Sequence, residues 1–392
     1  SEQLAFEQLQ GAAAAHNLLQ TKGLAYIADE VGTGKTLIAA GALALLRHAD
    51  PQMRALIIAP RANLQRNWAG QLELFAERNV TYRDMRVRGI DDRPVRRPAP
   101  IGRLRELPEL LIREPVCDPI MRLSAFELAM RSQAGLTEQR DLWRSWLGLS
   151  KGDVAWDMLD EAARPIPSPA NVVKFKRTVA ACVNRLLPAI GVLVVDETHN
   201  LKGGLSGSAA RNRVLHSFLG IDEPEFGELP GYGRRAERVL MLSATPMETE
   251  VGQVIRQLQV LGVDGSLEGP PDPGNQEFDD RQVLSQFLFR RLRKIDVAGH
   301  LLTRNVYRQQ WEAGGVVEPD APLELRDDRA RLTLALVQKR VAEAVQSGSG
   351  GARFQIGMLT SFESLAESTH TVVAGKAVQP DGDELTFDDA EQ

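Results

Sequence analysis

The chain has 392 residues, a formal net charge of −5 and a pI near 5.8, with 43% hydrophobic and 25% charged residues, values of a globular protein longer than one ordinary core. Its acidic balance argues against an indiscriminate nucleic-acid coat, which would need a broadly basic surface, but allows a machine that grips phosphates through one local strip. No run approaches the roughly 18 apolar residues of a membrane span, and residues 1–10 lack the basic-then-apolar order of a secretory signal, so a cytoplasmic protein is expected.

In chain order, residues 12–20 read as a helix, and 23–29 as a short apolar strand ending in a glycine turn. Residues 36–47 read as a helix, and Ala55–Ala59 as an apolar run buried on both sides of a parallel sheet. Helical spacing returns over 63–77. Strand, helix, strand, helix with glycine turns predicts an α/β doubly wound sheet. Arginines and prolines break the pattern over 83–113, which reads as an insertion or surface loop; it could serve as a nucleic-acid strip, a docking surface or a solvated loop. A strand-to-helix passage follows at 122–130, then helical and proline-broken sequence over 143–169. Residues 172–187 read as a helix leading into a buried strand at 191–195, and 239–242 as one more strand. Beyond 261 the chain changes character: a Gly/Pro/Asp-rich linker over 265–280, an amphipathic helix over 281–294 ending in basic residues, a loop over 314–328 and a helix over 330–345. The tail from 378 onward is acidic and poor in large apolar groups, so little order is expected there. Cys117 and Cys182 stand far apart without a CxxC or Cys/His cluster. They read as buried fillers, with neither a disulfide framework nor a zinc site.

Three motifs carry chemistry. Asp29-Glu30-Val31-Gly32-Thr33-Gly34-Lys35-Thr36 follows a strand and opens a helix. A polyphosphate needs backbone N–H groups from a tight glycine turn, a helix start and one reaching ammonium. Gly32 and Gly34 permit the turn, Lys35 can reach the β/γ-phosphates, and the Thr36 hydroxyl can ligate Mg²⁺. The strict phosphate-loop pattern would place glycine where this chain has Asp29. Asp196-Glu197-Thr198-His199 ends a buried strand, where carboxylates face a ligand at the sheet's carboxyl edge. Asp196 would hold Mg²⁺ through water and Glu197 would activate the attacking water. Two acids after a strand can also be a plain helix-start pair; it is the phosphate loop upstream that favours the ATPase reading. Ser243-Ala244-Thr245-Pro246 follows another apolar strand, placing small hydroxyls where they can bond the acidic motif; a proline-terminated turn is the simpler alternative.

In this order the motifs resemble superfamily 2 helicases, and within them the SWI/SNF-like DNA translocases. The resemblance runs over roughly residues 4–311, with long unmatched stretches between motifs. Ala28 to Thr36 agrees with the family's ADE-x-G-x-GKT loop, so Asp29 becomes a family mark, and Ala28-Asp29-Glu30-Val31-Gly32 is especially similar to the bacterial RNA-polymerase-recycling branch (RapA/HepA). The segment from Asp196 to Lys202 resembles DEAH-x-LK, with Thr198 in place of alanine. The resemblance implies adenine reading by Gln8, and coupling of nucleotide state to lobe closure by His199, Ser243 and Thr245. It also implies nucleic-acid backbone contact around Arg61, through Asn67-Trp68, and at Ser124; for Arg61 a plain surface arginine is the alternative. Residues 289–294 resemble a basic block after the first lobe.

The family completes its site with a second RecA-like lobe bearing arginine fingers, and nothing after His300 matches that pattern. The resemblance therefore implies a RecA-like P-loop NTPase lobe over 1–263, a linker over 264–282, a helical extension over 283–370 and an acidic tail over 371–392. The second lobe is expected from the same longer protein or from a partner. Binding of ATP and Mg²⁺, weak hydrolysis alone and translocation on double-stranded DNA are the implied activities. A strand-separating DEAH-type helicase on DNA or RNA and a nucleotide-gated binding module are the alternatives.

Overall fold

Leu24–Ile27, Ala55–Ala59 and Ile190–Val195 are apolar and buried along their whole length, as strands of a parallel sheet covered on both faces must be. A computed structural model of the chain describes residues 2–29, 32–79, 97–114, 117–128, 135–164, 168–206, 210–221, 223–247, 251–266, 284–289, 294–297 and 300–303. All belong to one compact unit, Ser1–Arg304; a second unit, Asn305–Gln392, lies outside the described residues, as do the loop, helix and tail expected there.

Helix α1 (Glu2–Thr21) leads into β1 (Leu24–Ile27), α2 (Lys35–Ala49), β2 (Ala55–Ala59), α3 (Ala62–Asn79), β3 (Arg97–Ile101), α4 (Glu106–Arg113) and β4 (Cys117–Arg122). A 3₁₀ turn, Leu123–Glu127, precedes α5 (Leu136–Leu147), α6 (Val154–Ala163) and α7 (Pro169–Asn184). Then come β5 (Ile190–Val195), a 3₁₀ turn at Thr198–Leu201, α8 (Ala210–Leu219), β6 (Ala236–Leu242), α9 (Gly252–Leu261) and β7 (Leu288–Phe289). β1 to β7 form one seven-stranded sheet in the order β3-β4-β2-β5-β6-β1-β7, and every pairing in it is parallel. The expected α/β class, a parallel sheet flanked by helices, is the observed one.

Alternation along each strand sends neighbours to opposite faces. Leu24, Tyr26, Leu193, Val195, Val239 and Met241 pack against α7, α8 and α9. Ala25, Ile27, Val192, Val194, Leu240 and Leu242 pack against α1, α2 and α3, where Trp68 is the largest buried side chain. A third cluster joins α5, α6 and α7 through Leu159, Phe175 and Val179.

Two expectations are corrected. The segment over 83–113 is not a loop throughout: residues 80–96 lie outside the described residues, but Arg97–Ile101 is the edge strand β3 and Glu106–Arg113 is helix α4. Proline interrupts a ladder only where its missing N–H would be needed, and an edge strand has one side without a partner strand, so Pro98 and Pro100 fit there. The helix expected over 281–294 is interrupted by strand: Leu288–Phe289 pairs with β1 as β7, and β8 (Lys294–Val297) pairs antiparallel with β9 (His300–Thr303). Apolar Leu288 and Phe289 gain more beside the buried β1 than on a helix face. The sheet thus continues past residue 263, and the described part of the expected helical extension is largely strand.

Candidate nucleotide site

The loop after β1 is shaped by two glycines in the left-handed region, Gly32 and Gly34, both at φ +84°. A side chain at Gly34 would be strained there and would also collide with the Gln8 amide. Gln8 reaches over from α1 and donates from Nε2 to the Thr33 carbonyl at 3.2 Å. Lys35, first residue of α2, folds back and donates from Nζ to the carbonyl of the buried Asp29 at 3.0 Å. Thr36 follows in the same turn of the helix. Glu30 and Val31 lie outside the described residues.

The acidic turn begins where β5 ends. β1, β6, β5 and β2 lie side by side and run parallel, so their carboxyl ends meet at one edge. Ser243 N–H donates to the Ile27 carbonyl at 3.1 Å and Asp196 N–H to the Ile58 carbonyl at 2.9 Å, which fixes the two motifs beside the phosphate loop. Asp196 accepts from Trp68 Nε1 at 2.8 Å and from the Glu197 N–H at 2.9 Å. Glu197 itself sits at φ +46°, ψ +52°, a costly region for a residue with a side chain. Its carbonyl accepts both the backbone N–H and the side-chain amide of Asn200, at 3.0 and 2.8 Å, which holds that conformation.

His199 Nδ1 lies 3.1 Å from Glu197 Oε2 and 3.0 Å from Ser243 Oγ, and Ser243 Oγ accepts the Thr245 N–H at 3.2 Å. Thr198 donates to the Val195 and Leu242 carbonyls, at 2.9 and 3.2 Å, tying β5 to β6 below the turn. The coupling residues expected from sequence are therefore in contact with one another.

Burial, with the neighbouring Glu197 charge, pushes the Asp196 carboxyl up to about 6. Burial works upward on Glu197 too, but the His199 hydrogen bond, aided by Lys35 and Ser243, holds it below the ordinary glutamate value. The Lys35 ammonium lowers both carboxylates, so loop and acids share one electrostatic neighbourhood. Among the described residues no group of three or more His, Cys, Asp and Glu could hold a metal ion by itself. Mg²⁺ does not need one, since it takes one or two carboxylates and completes its shell with phosphate and water. A loop with left-handed glycines, a returning ammonium, the Thr36 hydroxyl and an oriented Asp196 fit a magnesium-bound triphosphate.

Arg61 and Ser124 lie farther along the same edge. Ala59 of β2 pairs with Arg122 of β4, and each expected contact comes two residues later; both are exposed. Trp68 differs from expectation: it is buried and orients Asp196, so it offers no surface to a strand.

Sequence reading also missed a buried tie. Tyr26 OH donates to Gln257 Oε1 at 2.9 Å, and Gln257 Nε2 donates to the Pro246 carbonyl at 2.7 Å. It links β1, α9 and the turn after β6. A lone tyrosine within an apolar strand was its one sequence signal.

Residues 3–93 match the family described as type III restriction enzyme, res subunit. That match, which spans less than half the chain, supports an ATPase lobe of the superfamily 2 helicase kind. No curated protein matches. Among solved structures, the chain is similar to the Sulfolobus solfataricus SWI2/SNF2 ATPase core in complex with double-stranded DNA, with 14% identity and a TM-score of 0.40 over 73% of this chain and 43% of that one. It is similar to the Pyrococcus furiosus Hef helicase domain, with 16% identity and a TM-score of 0.31 over 62% and 35%. It is also similar to the DUF1998 helicase MrfA bound to DNA and AMPPNP, with 12% identity and a TM-score of 0.32 over 74% and 27%. The chain spans less than half the length of each of these structures. Among the described residues, no helix is long and apolar enough to cross a membrane.

Proposed function

We propose that this chain is the RecA-like ATP-binding lobe of a SWI/SNF-like DNA translocase, related to the RNA-polymerase-recycling branch, with the lobe extending through β7. The observation that carries the reading is the shared edge, where Lys35 acts electrostatically on both Asp196 and Glu197. Gln8 reads the adenine edge while it braces the loop. Lys35 leaves the Asp29 carbonyl for the β/γ-phosphates, and Thr36 and Asp196 hold the Mg²⁺. The bound ion supplies charge neutralisation on the phosphates. Glu197, kept ionised by His199, orients and polarises the attacking water. His199, Ser243 and Thr245 carry the change at the phosphates to the face that meets a second lobe. Arg61 and Ser124 contact the nucleic-acid backbone. An arginine finger from the second lobe would add about 10³ to 10⁵ in rate, so hydrolysis by this lobe alone is slow.

The test is ATP hydrolysis by the full-length protein with and without duplex DNA. We expect stimulation by duplex and little by RNA, and loss of at least about 10²-fold in Glu197→Gln with ATP binding retained. Stimulation by RNA or single strands with unwinding would transfer the reading to a strand-separating helicase. An unimpaired Glu197→Gln protein would make the lobe a nucleotide-gated binding module.

A further inference from the structure

A cleft of about 470 Å³ opens beside the acidic turn, lined by Phe126, Glu127, Lys176, Asn200, Lys202 and Arg211 among others. It lies where the 3₁₀ turn after β4, the turn after Glu197 and the start of α8 meet, with Lys176 of α7 closing one side. Lys176, Lys202 and Arg211 bring positive charge from three separate elements, against the Glu127 carboxylate. Lys176 Nζ donates to the Glu127 carbonyl. Arg211 donates from Nη2 to the Asn200 carbonyl at 3.1 Å and keeps Nη1 3.9 Å from Glu127 Oε1. Lys176 and Arg211 are therefore held in place by the backbone of the lobe's own motif turns. Burial lowers the Lys176 ammonium, with Glu127 opposing; an anion in the cleft would offset that burial cost.

Position supplies the second argument. Phe126 and Glu127 belong to the same 3₁₀ turn as Ser124, and β4 lies beside β2, which carries Arg61 at its end. A strand laid along Arg61 and Ser124 meets the cleft next. We propose that this cleft seats a phosphate of the nucleic-acid backbone, contacted by Lys176, Lys202 and Arg211. The proposal rests on the nucleic-acid reading above and adds Lys176 and Arg211, which lie outside its motifs, beside Lys202 at the end of the acidic motif. Because Asn200 lies in the 3₁₀ turn that follows Glu197 and Lys202 ends it, a strand held there touches the turn that carries the proposed catalytic glutamate.

The test measures binding of the full chain to a short fluorescent duplex DNA over a series of salt concentrations. Each phosphate contact contributes close to one unit to the slope of log K against log salt. Lys176→Ala and Arg211→Ala are each expected to weaken binding about 3- to 10-fold and to flatten the slope by about one unit, while ATP-analogue affinity stays unchanged. Lys176→Arg should retain both affinity and slope. Glu127→Gln, which removes the carboxylate beside Arg211, should tighten binding, so the sign can be read even if an alanine variant folds poorly. If the wild type binds duplex and all four variants leave affinity and slope unchanged, the cleft is not a phosphate seat, though the lobe reading stands. If the wild type binds no nucleic acid at any salt, both fall together.

Discussion

Asp196 must be ionised to hold a metal, yet its surroundings favour the protonated form. Burial and the Glu197 charge lift it to about 6, against 3.8 for the free side chain, while Trp68 and the Glu197 N–H pull it down. Between about pH 4 and 6 the folded, metal-free protein therefore holds a proton that the unfolded chain has already released. Stability then falls as pH rises through that window, because the folded state binds more protons. Thermal melting in chelator should show this decline, and Asp196→Asn should remove it while abolishing any stabilisation by ATP and Mg²⁺. An unchanged slope in Asp196→Asn would assign the decline to another group. The Tyr26 tie gives a second residue-scale expectation. Tyr26→Phe leaves Gln257 Oε1, fully buried, without its donor, which costs about 1 to 3 kcal/mol. Replacing both partners with apolar residues should cost less than the two single changes summed, as a double-mutant cycle by denaturant unfolding would measure.

At the scale of elements, a largely buried ion pair ties α2 to β4. Arg47 Nη2 lies 2.5 Å from both oxygens of Asp118, which also accepts the Ala55 N–H at 3.2 Å. Asp118 sits in an interior strand and is 2% exposed, so truncating it strands the Arg47 guanidinium and the Ala55 N–H together. Asp118→Ala should cost about 3 to 5 kcal/mol of unfolding free energy, as breaking a buried pair does; a loss under about 1 kcal/mol would mean that water replaces the carboxylate. Nothing near Asp118 in the sequence announces Arg47, which is 71 residues away. By contrast, β2 was legible to the residue, because a wholly apolar run has one use in a parallel sheet. β5 and α2 were legible within one or two residues for similar reasons. β3 was hidden by its prolines and β7 by its two-residue length, since both draw their strand character from a neighbour. The glycine turn after β1 and the acidic turn after β5 were legible as turns at strand ends because their residues are contiguous; the Trp68–Asp196 bond was not, because α3 folds back over 128 residues of chain separation to make it.

For the molecule as a whole, the phosphate loop, the acidic turn and the turn after β6 hang on adjacent strands, so one ligand that touches all of them should stabilise the entire sheet. In the structure Lys35 is satisfied by the Asp29 carbonyl, a neutral partner that a triphosphate can displace with a stronger, charge-assisted bond. A ligand that binds only the folded state at a hundredfold excess over its Kd adds about 2.7 kcal/mol. At 2 to 4 °C per kcal/mol, that is a rise of roughly 5 to 10 °C in melting temperature. A non-hydrolysable ATP analogue with Mg²⁺ should produce such a rise, the analogue with chelator clearly less, and Lys35→Ala with both present almost none. A full rise in Lys35→Ala would place the nucleotide somewhere other than this loop. A rise that ignores chelator would leave the loop in use but remove Asp196 and Thr36 from any role in holding metal.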